Sequence, residues 1–75
     1  MNIIWIVLGA AVAIAVPAVA TAWAQSRIGS AIAASMAEKP ELATTAVLMI
    51  AIPETMVILG FVVALVILLR AGAAG

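Results

Sequence analysis

Two long uncharged stretches constrain this chain more than any other feature: Ile3 to Ala24, and Leu42 to Leu69 interrupted only by Glu54. Each exceeds the ~20 residues a helix needs to cross the hydrocarbon of a bilayer. The chain is 69% hydrophobic and 8% charged, with a mean hydropathy of +1.46. Soluble domains run about half apolar and about a quarter charged. So little polar surface cannot face water on all sides, which makes lipid the solvent. In lipid only helices and closed barrels satisfy every backbone amide and carbonyl. The expected fold is an all-α membrane protein, a single transmembrane antiparallel hairpin over residues 1–75. Helix 1 is expected over about residues 3–36, a turn at 37–41 and helix 2 over about 42–70.

The turn is marked by the one charge cluster, Ala37-Glu38-Lys39-Pro40-Glu41. Pro40 cannot continue helix 1, and it biases Lys39 away from helical geometry. Glu41 then falls in the first turn of helix 2, where an acid complements the helix dipole. The small-residue tail Ala71-Gly72-Ala73-Ala74-Gly75 is expected to fray. Ala20-Thr21-Ala22 mimics a signal-peptide cleavage site. The leading Met1-Asn2 lacks a basic residue, however, and the apolar run outlasts an h-region of about 7–15 residues, so no cleavage is expected. Arg27 and Lys39 on the turn side outweigh Arg70 at the other end. The positive-inside rule therefore places the turn in the cytoplasm and both termini outside.

Several functions are excluded. A formal net charge of zero, with no basic run, offers nothing to nucleic acid. Without cysteine or histidine there are no disulfides, no zinc sites of the usual kind and no usual nucleophile–base pair. No cofactor is implied.

The two helices differ in texture. Helix 1 is rich in small residues (Gly9, Ala11, Ala13, Ala15, Ala18, Ala20, Ala22, Ala24), whereas helix 2 carries Val57, Ile58, Leu59, Phe61, Val66, Ile67, Leu68 and Leu69. Small residues mark close backbone approach in membranes, where lipid gives no hydrophobic drive between helices. Alanine is also simply a good helix former. The packing alternative makes the chain a homo-oligomer, with helix 1 at the interior and helix 2 facing lipid.

Glu54 is the residue that needs a chemical reason. It lies 12 residues after Leu42 and 15 before Leu69. A charge at mid-membrane costs about 2.5–3.5 kcal/mol on insertion scales, so an acid there marks a functional site by default. Hydrocarbon penalises the charged form, and a carboxyl that is neutral when loaded with a proton or metal ion and charged when empty is a natural ion carrier. The competing role is a protonated acid that only bonds one helix to another. Pro53 removes an amide donor and frees a carbonyl one turn earlier, although it also serves as an ordinary kink, as Pro17 does in helix 1. Thr55 sets a hydroxyl beside the carboxylate. Gln25 lies 15 residues before Pro40 and Glu54 lies 14 after it. Both are then roughly 21 Å from the turn at 1.5 Å per residue, at matching depth. A carboxylate, an amide oxygen, a hydroxyl and a freed carbonyl suit a hard monovalent cation or a held proton. Gln25 has the alternative of stitching the helices together. Arg27 either snorkels to the interface or pairs with Glu38 or Glu41.

These residues resemble the c-subunit, the proteolipid of rotary ATP synthases and ATPases, over nearly the whole chain. The segments Ala24-Gln25-Ser26-Arg27-Ile28-Gly29 and Ile52-Pro53-Glu54-Thr55-Met56-Val57-Ile58-Leu59-Gly60 look most like the V/A-type branch. The turn Glu38-Lys39-Pro40 is similar to the Arg-Gln-Pro loop of the F-type, as is the two-helix length. The resemblance implies a ring of copies turning against a stator protein, the a-subunit, whose arginine displaces the ion from Glu54. It implies that Glu38, Lys39 and Pro40 meet the central stalk. Ion flow across the cell (inner) membrane then drives ATP synthesis in the attached head, or hydrolysis drives pumping, and the chain itself catalyses nothing. In sodium-binding relatives the ligands correspond to Gln25, the Ile52 carbonyl, Glu54 and the Thr55 hydroxyl. Met56 and Leu59 stand where such relatives often have polar partners, which favours protons over Na+ as cargo. The alternative from another class is a small pore-forming or scaffold hairpin of the holin kind, which has no need of Gln25 at the depth of Pro53-Glu54-Thr55.

Overall fold

The computed structural model describes residues 2–74. Helix α1 runs Ile3–Glu38, a 3-10 turn covers Pro40–Leu42 and helix α2 runs Ala43–Ala74. Among the described residues only Asn2 and Lys39 stand outside a helix. The Asn2 side chain caps α1 by accepting from the Ile4 amide at 3.1 Å. α1 stops where Pro40 demands it: Lys39 swings out of the helical region to φ −132°, ψ 84°. The Lys39 amide still donates to the Ser35 carbonyl at 2.9 Å, and the Leu42 amide donates to the Lys39 carbonyl at 3.0 Å. Reversal therefore takes a single non-helical residue, with no glycine and no positive φ.

The helices are longer than the sequence pattern alone predicts. α1 gains Ala37 and Glu38 because the chain can stay helical up to the residue before the pre-proline position. α2 continues to Ala74 within the tail expected to fray, since alanine is the best helix former and Gly72 costs only about 1 kcal/mol; Gly75 lies outside the described residues. Glu41 belongs to the 3-10 turn that leads into α2 rather than to α2 itself.

The hairpin measures 57 × 17 × 8 Å between Cα extremes, so both helices overshoot the ~30 Å of bilayer hydrocarbon. Both are long and apolar enough to cross a membrane, and only 6% and 11% of their most apolar windows are buried. That exposure separates them from the core helices of a soluble protein, which hide such stretches.

The seam between the helices follows the spacing of a left-handed pair. On α2 its covered and half-covered residues are Ala46, Ile50, Pro53, Val57, Gly60, Ala64, Ile67 and Ala71, in alternating steps of four and three. On α1 Ala10, Ala13, Pro17 and Thr21 face them. The contact is small against small, and Ala10, Thr21 and Ala64 are the most buried side chains, at 4%, 3% and 8% exposure. Pro17 is more than a kink. A Cβ on Gly60 would lie 2.5 Å from the Ala13 carbonyl oxygen and 3.0 Å from Pro17 Cγ. Several other alanines of α1, including Ala11, Ala15, Ala20 and Ala22, stay exposed on the single hairpin and are free for other neighbours.

Gly60→Ala should therefore push the helices apart and destabilise the hairpin by about 1–3 kcal/mol, the usual cost of overpacking. Thermal unfolding of the purified protein in mild detergent reads this out, and an unchanged midpoint would show that the helices do not approach so closely.

Candidate ion-binding site

The side-chain hydrogen bonds that cross between the two helices cluster around one level of the seam, at Thr21, Gln25, Pro53 and Glu54. Gln25 and Glu54 come to equal depth as their distances from the turn require, and they touch. The Gln25 side-chain Nε2 donates to Glu54 Oε2 at 2.7 Å and to the Ile50 carbonyl at 3.2 Å. Both amide hydrogens are thereby used, which leaves Gln25 Oε1 as the group's remaining acceptor. Ile50 lies one residue beyond Met49, whose carbonyl Pro53 deprives of its helical donor.

One turn before Gln25, on the same face of α1, the Thr21 hydroxyl donates to the Pro53 carbonyl at 2.9 Å. Thr21 is the buried polar residue of the described chain. Sequence reasoning misses it, reading it only as part of a cleavage-site mimic. The signal available is its i, i+4 relation to Gln25, which puts both side chains on the stripe that faces α2.

Thr55 and Ile52 form a second pair, since the Thr55 hydroxyl donates to the Ile52 carbonyl at 2.7 Å. At 3.6 residues per turn, Thr55 lies about 100° and Ile52 about 200° around α2 from Glu54. The four expected ligands thus stand as two pairs on different faces, and one hairpin does not gather them. Glu54 itself is exposed on the single hairpin, as are Ile52 and Thr55. Its shielding from water must come from outside the hairpin, from lipid or another chain.

Arg27 finds an aromatic partner, with its guanidinium carbon 5.0 Å from the centroid of the Trp23 ring. A cation over an indole holds its charge close to the helix without a carboxylate. Ser26, Ser30 and Ser35 satisfy their hydroxyls within α1 by donating to the carbonyls of Trp23, Ser26 and Ala31 at 2.7, 3.0 and 3.2 Å. None of them joins the site. Glu38, Lys39 and Pro40 are exposed at the tip of the hairpin, far along the long axis from Glu54.

No curated protein and no solved structure matches the chain significantly. The family model for the C-subunit of ATP synthase matches residues 8–67, a span that takes in the seam, the Gln25–Glu54 contact and the turn. Two long apolar helices in an all-helical hairpin are consistent with that match, and the chain belongs to the ATP synthase C-subunit family.

Proposed function

We propose that Glu54 is the reversible ion carrier of this rotor-ring protein, and that the Gln25–Glu54 contact is the part of the site each copy builds alone. The observation that carries this is the 2.7 Å bond from Gln25 Nε2 to Glu54 Oε2, which joins side chain to side chain across two apolar helices. A donor aimed at one carboxyl oxygen leaves the other oxygen for a proton or a cation. Gln25 Oε1 is then the first neutral ligand beside it.

The Thr55 hydroxyl and the Ile52 carbonyl enter from a neighbouring copy. They sit on a different face of α2 from Glu54, and packing hairpins side by side around a ring brings one face of each α2 against the next. The same neighbour covers the exposed Glu54. Exposed alanines on α1 give the close approach such packing needs. With four oxygens the site suits a proton or Na+. Met56 and Leu59 add only a weak acceptor and none at all, which leaves protons favoured as cargo.

The remaining parts follow from the family's architecture. Glu38, Lys39 and Pro40 at the tip meet the central stalk, and an arginine of the stator a-subunit displaces the ion from Glu54 as each copy passes. The chain lies in the cell membrane with its turn in the cytoplasm, because Arg27 and Lys39 gather on that side. Ion flow turns the ring and drives ATP synthesis in the head, or runs in reverse; the chain performs no chemistry on ATP.

Carbodiimide modification tests the carrier directly, because the reagent attacks a protonated carboxyl in an apolar setting. In native membranes it should modify Glu54 alone, with a rate that falls as pH rises; equal modification of Glu38 and Glu41 would overturn the reading. Added Na+ separates the two ions: protection that grows with its concentration assigns sodium, and a flat response assigns protons. Glu54→Gln should leave the ring intact on a native gel and reduce ion-driven ATP synthesis to background. A ring that still carries ions would make Glu54 structural.

A further inference from the structure

From the contacts around Pro53 we infer that Thr21 is a positioning residue, whose bond to the Pro53 carbonyl holds α2 in the rotation that keeps Glu54 against Gln25 while the ion comes and goes. The inference rests on Glu54 being the ion site and adds to it a residue that is hydrogen-bonded neither to the carboxylate nor to any ligand proposed above.

Pro53 is the weak point of α2. It has no amide hydrogen, so the Met49 carbonyl loses its helical donor and the helix can pivot there. α1 bridges that point with two side chains one turn apart. Gln25 holds the Ile50 carbonyl on the turn side of the break, and Thr21 holds the Pro53 carbonyl on the far side. The two bonds are unequal in duty. Gln25 divides one amide between Ile50 at 3.2 Å and Glu54 at 2.7 Å, so its hold on α2 changes whenever the carboxylate gains or loses a positive partner. Thr21 has a single bond, 2.9 Å long, and is 3% exposed. Its hold does not depend on the ion. Loading and release are thereby confined to side chains, and the backbone that carries Glu54 stays in place.

Chemistry at this position discriminates among residues of similar size. Valine fills the same volume and cannot donate. Serine donates and loses only a methyl group. In membranes containing the whole assembled complex, Thr21→Val should leave the ring band unchanged on a native gel. It should raise the initial rate of carbodiimide modification at Glu54 by about three- to tenfold, because the Gln25–Glu54 bond opens more often once α2 can turn, and one net hydrogen bond commands a ratio of that order. Thr21→Ser should return the rate to within about twofold of the parent. A Thr21→Val rate equal to the parent's, or a Thr21→Ser rate as high as that of Thr21→Val, overturns the inference. If Thr21→Val fails to assemble, Thr21→Ala takes its place, since it also removes the donor.

Failure of the carrier reading looks different: Glu54 of the parent is then modified no faster than Glu38 and Glu41, or the Glu54→Gln ring still carries ions. Amide hydrogen exchange over residues 50–57 decides the role of Thr21 in that case. Faster exchange there in Thr21→Val, with the rest of α2 unchanged, supports the splint, and equal exchange rejects it.

Discussion

Hydrocarbon supplies no hydrogen bonds, so each polar group this chain carries into the bilayer has to be answered by another group of the protein. The bond between Gln25 and Glu54 is where that constraint bears hardest. A carboxylate is the most expensive group on α2, and the amide that meets it is the most polar group at that level of α1. Together they set the vertical register of the two helices. A shift of α2 by one turn would leave both groups without this partner, a penalty of several kcal/mol that no packing of alanines could offset.

The small residues of the seam follow from the same requirement. Short side-chain bonds between helices need backbones close together, and Gly60 against Ala13 and Pro17 is where the two come nearest among the glycine positions. The close contact places the Pro53 carbonyl within reach of Thr21 and the Ile50 carbonyl within reach of Gln25. A bulkier seam would separate those pairs. Packing and polarity are thus two sides of one arrangement: alanine and glycine bring the helices near, and the polar side chains make only one register acceptable. An ion carrier gains from such rigidity. Its site must accept and release a charge many times without its helices sliding in the lipid, where nothing but dispersion and a few hydrogen bonds holds them.

Much of this is legible in the sequence because lipid simplifies the reading. Two uncharged runs and a proline among charges specify a hairpin, and counting residues from Pro40 pairs Gln25 with Glu54 at one depth. Counting along the chain does not show which way a side chain points. Thr21 looks like one more small residue among alanines, and its bond to the Pro53 carbonyl emerges only once the seam's face is known. Sequence adjacency puts the Thr55 hydroxyl beside the carboxylate, yet neighbouring residues on a helix point about 100° apart, and this hydroxyl turns back to the Ile52 carbonyl. Charge and length let Arg27 either snorkel to the interface or pair with the acids of the turn, and the guanidinium lies over Trp23, one turn earlier on its own helix. Lack of bulk makes the tail look frayed, but backbone propensity decides whether alanines at a helix end stay helical.

An ion carrier at position 54 requires a carboxyl that switches between charged and neutral forms while it stays inside the membrane. Infrared difference spectroscopy of the assembled ring in lipid, stepped in pH and in sodium concentration, observes that switch without a chemical reagent. One carboxyl per chain should exchange a protonated band for a carboxylate band reversibly, through a group that is slow to take up deuterium and absent from Glu54→Gln. A spectrum in which no lipid-shielded carboxyl responds to either ion would contradict the carrier role.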